Sequence, residues 1–174
     1  EMATVVAKLP KKAIFPLSQH IGAPAKPVVG KGDKVKVGTL LAEAGGFVSA
    51  PIYSSVSGTV LKIDTAIDAT GYRKPAILIN VEGDEWEESI DRTDKLETVA
   101  EHPELTPEEI VNRIKTAGVT GMGGAGFPTF IKLCPPPGAK AECVILNGVE
   151  CEPYITSDYR LMMEHADEIL VGLD

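Results

Sequence analysis

The sequence is poor in cysteine and histidine, carries fewer bases than acids, and has no long apolar run. Its three cysteines, Cys134, Cys143 and Cys151, form an odd set separated by eight and seven residues. That spacing matches neither a metal quartet nor a disulfide framework, so reduced thiols are expected. The three histidines, His20, His102 and His165, lie far apart and share no metal-like spacing, which predicts no metal site. No window approaches the roughly 18 apolar residues of a membrane helix, and the N-terminus lacks the apolar run of a signal peptide. Attachment to a membrane is therefore expected only through partners, which points to the cytoplasm. Seventeen Lys and Arg against 25 Asp and Glu give a net charge of -8 and a pI near 4.9. This balance works against the phosphate-neutralising surface that nucleic acid requires, and nucleic acid is set aside as a ligand.

What is present suffices for one medium domain or two small ones, since 44% of the 174 residues are hydrophobic. Between residues 28 and 81, short Val- and Ile-rich runs alternate with glycine turns, as in KVKVGTLLAEAGG and FVSAPIYSSVSGTVLKID. Many short antiparallel strands are expected there, and residues 1–85 are assigned to a β domain. The stretch EGDEWEESIDRTDKLETVAEHPE then turns acidic, and residues 86–105 are assigned to a connector carrying little core. The Asp84 to Glu88 charge run is expected to be solvated surface.

Residues 106–174 change period. In TPEEIVNRIKTAG, Thr106 can cap a helix, Pro107 suits its first position, Glu109 completes a capping box, and Ile110, Val111 and Ile114 form one face. Gly118 offers the stop. A short helix is expected from Pro128, a buried strand at Glu142–Leu146 (ECVIL), and a final helix from Thr156 or Ser157 carrying Leu161, Met162, Ile169 and Leu170. That order predicts the start of an α/β, Rossmann-like layer, and the whole chain reads as a two-domain α+β / α/β protein. Because Met is second and the chain stops at Asp174 inside a helical run, the sequence reads as a piece of something longer.

Two segments carry candidate chemistry. In GVTGMGGAGFPTFIKL, Gly118 to Leu133, five of the first nine residues are glycine. Bare backbone lets N–H groups converge on a phosphate, and Lys132 lies one turn into the following helix. The loop is neither a Walker A sequence nor a clean GxGxxG after a strand, so a ligand cradle and a tight structural turn both remain open. The second segment is NGVECEP, where Asn147, Glu150 and Glu152 follow the expected strand and could accept hydrogen bonds from a ribose or ring. A polar turn whose glutamates cap the next helix is the other reading.

Together GVTGMGGAGFPTFIKL and ILNGVECEPYITSDYRLM resemble the flavin-binding signature shared by the NADH-oxidising subunit of respiratory complex I and the RnfC component of the Rnf electron-transport complex. The wording of the second segment and the opening FPLSQHIGAPAKPVV, Phe15 to Val29, are closer to RnfC. The resemblance implies an FMN held by the glycine loop, with NADH stacking on it and delivering hydride. By position, Gly121, Gly123, Gly124 and Gly126 would approach the nucleotides, Lys132 would contact the flavin, Asn147 and Glu150 would line its site, and Glu152 would lie toward NADH. Phe127 could stack on a nucleotide ring. No residue acts as a protein acid, base or nucleophile in this scheme. Met122 stands where the complex I pattern has an arginine. The family's 4Fe-4S clusters, held by Cys quartets, would belong to a further C-terminal region. Partners implied are the other Rnf proteins, with ferredoxin reached indirectly, on the cytoplasmic side of the inner membrane, in a complex coupled to ion translocation.

VVGKGDKVKVGTLLAEAGGFVSAPIYSSVSGTV resembles a barrel-sandwich hybrid of the biotinyl and lipoyl type. A carrier would need a lysine at the Gly45–Ser49 tip, which reads GGFVS. The domain is therefore expected to dock or support rather than to swing. Two alternatives stand beside the Rnf reading: a complex I or hydrogenase-type NADH-flavin subunit, and a non-catalytic docking module.

Overall fold

The valine, isoleucine and glycine pattern of the first half resolves into strands in the computed structural model, which describes residues 2–68 and 70–174. They are β1 (Lys12–Pro16), β2 (Lys26–Pro27), β3 (Lys34–Val35), β4 (Leu40–Glu43), β5 (Ile52–Tyr53), β6 (Ser57–Ile67) and β7 (Arg73–Gly83). One sheet runs β1-β7-β6-β3 and the other β2-β4-β5. All these pairings are antiparallel. The inward faces meet in one apolar core built on Leu41, Ile77, Ile79 and Val60, each 0–1% exposed, with Phe15, Leu17, Val35 and Ile52 around them. Burial of these β-branched and leucine side chains is what fixes the strand registers.

The helices are α1 (Pro107–Thr116), α2 (Thr129–Lys132), α3 (Ser157–Glu164) and α4 (Ala166–Leu173). The expected capping box of α1 is formed: the Glu109 amide donates to Thr106 Oγ1 (3.2 Å) and the Thr106 amide to Glu109 Oε2 (2.8 Å). At its other end the Val119 amide reaches Ile114 O (3.3 Å) and the Gly118 amide reaches Lys115 O (3.2 Å), a Schellman closure with Gly118 at φ 71°.

Two compact units divide the chain. One comprises residues 8–91 and 111–134; the other comprises the described residues up to Ala7 together with 92–110 and 135–174. The first stretch of the acidic segment belongs with the sheets. Val37 pairs with Trp86, its amide donates to Glu85 O (2.8 Å), and the Glu87 amide donates back to Val37 O (3.0 Å).

The α/β layer expected of residues 106–174 is absent from the described residues. ECVIL forms no strand, and Val144, Ile145 and Leu146 are 72%, 84% and 55% exposed. A strand needs a neighbour for its amides and carbonyls, and among the described residues none pairs with it. The expected final helix is two helices, broken at His165 (φ -133°, ψ 35°). Among the described residues no helix is long and apolar enough to cross a membrane.

Candidate functional site

The Schellman closure of α1 delivers the chain into the glycine loop, and the loop has a hydrogen-bonded neck. Thr120 bridges Pro128, the Thr129 amide donates to Val119 O (3.0 Å), and the Gly121 amide donates to Phe127 O (2.9 Å). Residues 121–127 therefore form a closed loop whose exit is α2. That helix is a single turn of four residues, so its macrodipole adds little for an anion. Lys132, at its end, folds back with Nζ 5.9 Å from the Phe127 ring centroid, and Nζ also lies 3.3 Å from where a Cβ on Gly121 would stand. Phe127 is thus engaged by Lys132, and the two form one cationic-aromatic corner of the loop.

The glycines are not equivalent. A Cβ on Gly126 would come within 2.7 Å of Gln19 O and 2.9 Å of His20 Cα, and its φ is 62°. Gly126 is glycine because another backbone lies against it. At Gly123 and Gly124 no heavy atom lies within 4 Å of the Cβ position, although Gly124 has φ 136°. At these two the side-chain direction is empty.

The loop rests on the β domain at both ends. The Ile21 amide donates to Ala125 O (3.0 Å), a Cβ on Gly118 would stand 2.6 Å from Pro51 O, and Tyr53 Oη donates to Thr116 O (2.6 Å). Between loop and β domain lies a cavity of about 410 Å³, walled by Gln19, His20 and Ala50–Tyr53 on one side and by Gly118, Thr120, Gly121, Met122, Gly124 and Gly126 on the other. Its lining contains no carboxylate, ammonium or guanidinium group. The size falls in the roughly 300–1,000 Å³ range of small-molecule sites. Sequence reasoning missed the Gln19–Ile21 and Ala50–Tyr53 walls; the SQHIGAP wording was the one available signal, and it carried no chemistry by itself.

Asn147, Glu150 and Glu152 belong to the other compact unit. Asn147 Oδ1 accepts the Val149 amide (3.0 Å), holding an Asx turn. Glu150 accepts the Tyr159 amide (2.9 Å) and the Ser157 hydroxyl (3.3 Å), so it caps α3. Glu152 is exposed, and Tyr154, two residues on, holds a positive φ of 71° with its side chain fully exposed. Cys134, Cys143 and Cys151 are exposed and form no disulfide. His102 sits against Glu97 (2.6 Å) and Glu104 (3.1 Å), which raise its pKa above the ordinary 6.5. Glu168 does the same for His165. Among the described residues no group of His, Cys, Asp and Glu is arranged to hold a metal ion.

Residues 1–84 match the RnfC barrel sandwich hybrid domain, and residues 114–174 match the Nuo51 FMN-binding domain. The chain is similar to the RnfC-type component of the proton-translocating ferredoxin:NAD(+) oxidoreductase complex of Clostridium ljungdahlii, 46% identical over 169 residues that cover 97% of this chain and 36% of that protein. It belongs to the RnfC family. The corresponding RnfC protein of the Na(+)-translocating ferredoxin:NAD(+) oxidoreductase complex of Acetobacterium woodii is 42% identical over 95% of this chain and 36% of its own length. The RnfC protein of the ion-translocating oxidoreductase complex of Pseudomonas aeruginosa is 41% identical over 97% of this chain and 21% of its own length. The chain thus spans about a third of the first two relatives. The N-terminal sheets are the barrel-sandwich hybrid; Phe47, 80% exposed, stands at the tip where a carrier would need its lysine.

The residues present fit a flavin nucleotide. Gly123 and Gly124 leave space where side chains would stand, the cavity lining is uncharged and offers apolar surface for a ring system, and Lys132 supplies a cation beside the loop.

Proposed function

We propose that this chain carries the flavin site through which an ion-translocating ferredoxin:NAD(+) oxidoreductase complex exchanges electrons with NADH. The observation that carries this reading is the side-chain space left empty at Gly123 and Gly124, on a loop inside the segment matching an FMN-binding domain, with Gly124 lining an uncharged cavity. When bound, the flavin would accept a hydride and release single electrons toward iron–sulfur clusters held outside residues 1–174.

The chain's own part is positional. Gly121, Gly123, Gly124 and Gly126 shape the loop, and of these Gly123 and Gly124 let a nucleotide approach the backbone. Lys132, whose Nζ lies over the Phe127 ring, would supply a cation to the flavin. By the resemblance alone Asn147 and Glu150 would go to the flavin and Glu152 to NADH, while Asn147 also holds its own turn and Glu150 caps α3. Residues 1–85 serve as a supporting domain, 86–105 as a connector and 106–174 as the beginning of the nucleotide-binding domain. The other proteins of the complex are the partners, ferredoxin is served through them, and the chain is peripheral on the cytoplasmic side.

The test is FMN titration of the intact protein, followed by flavin fluorescence quenching. Saturable quenching is expected. Gly123→Ala should weaken it at least about tenfold, which corresponds to ~1.4 kcal/mol of lost approach. Saturable binding that Gly123→Ala leaves unchanged would remove the loop from the site. The absence of any binding would favour a docking role for the chain.

A further inference from the structure

We propose that the β domain builds the second wall of this nucleotide cavity, and that His20 is the positioning residue that sets the wall's distance from the glycine loop. The proposal rests on the flavin reading for its ligand, though not for its geometry.

Two segments of the β domain touch the loop. Gln19–Ile21 holds its exit: Gly126 lies against the Gln19 carbonyl and the His20 Cα, and the Ile21 amide donates to Ala125 O (3.0 Å). Ala50–Pro51 holds its start, where Gly118 lies against Pro51 O. These segments are thirty residues apart in sequence, and the His20 ring joins them. His20 is 8% exposed, with Nδ1 3.1 Å from Ile21 O and Nε2 3.2 Å from the Ala50 amide nitrogen.

A neutral imidazole satisfies both contacts in one tautomer, Nδ1–H donating to Ile21 O and the Nε2 lone pair accepting the Ala50 N–H. The opposite tautomer would make only one bond, from Nε2 to Ala50 O 3.1 Å away, and leave the Ala50 amide without this acceptor; each tautomer sets one lone pair beside a carbonyl, Ala50 O in the first and Ile21 O in the second, and the first makes two bonds. The first tautomer is therefore the one assigned. In it the ring clamps the segment under the loop's exit to the segment under its start. Removing the ring frees each wall segment separately and lets the loop drift from the geometry that flavin needs. This accounts for a barrel-sandwich hybrid that has no acceptor lysine: its hairpin ends are used as a template for the loop.

The test compares His20→Ala, His20→Gln and His20→Asn in the intact protein, with two readouts. Amide exchange is measured at residues 121–127 without ligand, and FMN affinity is measured by fluorescence quenching. Gln can place Oε1 where Nε2 accepts the Ala50 amide, whereas Asn reaches only toward Ile21 O. Loop exchange is expected to rise, and FMN affinity to fall, about tenfold or more in the Ala and Asn variants, with Gln within about threefold of the parent. Trp86 fluorescence checks that the sheets persist. If Ala fails to fold, the Gln and Asn pair alone carries the comparison, because both keep polar side chains. Loop exchange and affinity that are the same in Gln and Asn would overturn the positioning role. A parent protein that binds no FMN while Asn still frees the loop would overturn the flavin reading and leave the positioning role standing.

Discussion

Gly126 and Gly123 are three residues apart, and a side chain would meet another backbone at the first and nothing at the second. Gly126→Ala drives a methyl into the Gln19 carbonyl at a positive φ, so it should cost stability, about 1–3 kcal/mol, and lower the thermal midpoint of the sheets. Gly123→Ala meets nothing within 4 Å and should leave that midpoint unchanged while weakening FMN. Calorimetry on the two variants checks the difference; equal midpoints would mean that the Gln19–His20 contact is not a packing contact. The sequence carried the richness in glycine but could not separate these roles, because the atom that excludes a side chain at Gly126 comes from a segment far away in the chain. His20 was opaque for the same reason. Glu150 was more legible: a carboxylate shortly before a helix can cap it, and here it does so through the Tyr159 amide.

Elements whose determinants are local were readable as elements. The Thr106–Glu109 capping box and the Gly118 closure of α1 are complete within the segment that encodes them. Thr106→Ala should remove one cap bond and cost about 1 kcal/mol, seen as a loss of helical signal with the sheets intact; no change would mean that packing alone holds α1. The strands of the β domain were legible because the alternation of valine and isoleucine with polar residues is local, and burial rewards it even where the partner is distant, as for β1 on β7. Truncating Ile77, 0% exposed at the centre of that core, to alanine should cost about 2–5 kcal/mol. Urea melts of the Trp86 signal check the figure; a cost under about 1 kcal/mol would place the core elsewhere. ECVIL has a similar apolar character, but among the described residues no strand pairs with it. An apolar run predicts that a segment would be content in a sheet, and whether a sheet is there depends on residues that a local pattern does not contain. Trp86 and Ile90 show the converse, since an acidic stretch concealed contacts made to Val37 and Gly38.

At the scale of the whole molecule, the two compact units differ in what holds them. The buried hydrophobic residues, from Phe15 to Phe130, fall in the unit built on the sheets, whereas the unit containing α3 and α4 has no buried side chain in either helix. What that second unit has instead is polar ties. Glu164 pairs with Arg160 and accepts from the Thr4 amide (3.1 Å) and the Thr4 hydroxyl, holding the N-terminal segment to α3. The Thr4 hydroxyl first, and Arg160 after it, pull the Glu164 carboxyl from 4.5 down to about 2. A depressed carboxylate stabilises the fold fully above its unfolded value and ceases to do so as pH falls through its folded value, so this tie should weaken from about pH 4.5 and be gone below about 2. In the sheet unit Asp64, Asp68 and Glu82 are also held below the usual carboxylate range, by Lys62, Thr70 and Lys34, but these are exposed ties on the surface of strands held together by an apolar core of buried side chains. Acid titration should therefore separate the two units: helical ellipticity should decline through that window while the fluorescence of Trp86, the single tryptophan and part of the sheet unit, stays native. Glu164→Gln, which keeps the shape and removes the charge, should flatten the helical decline. Superimposable transitions from both probes would instead mean that the units unfold as one, and that burial too slight to register in any single side chain of α3 and α4 suffices to couple them.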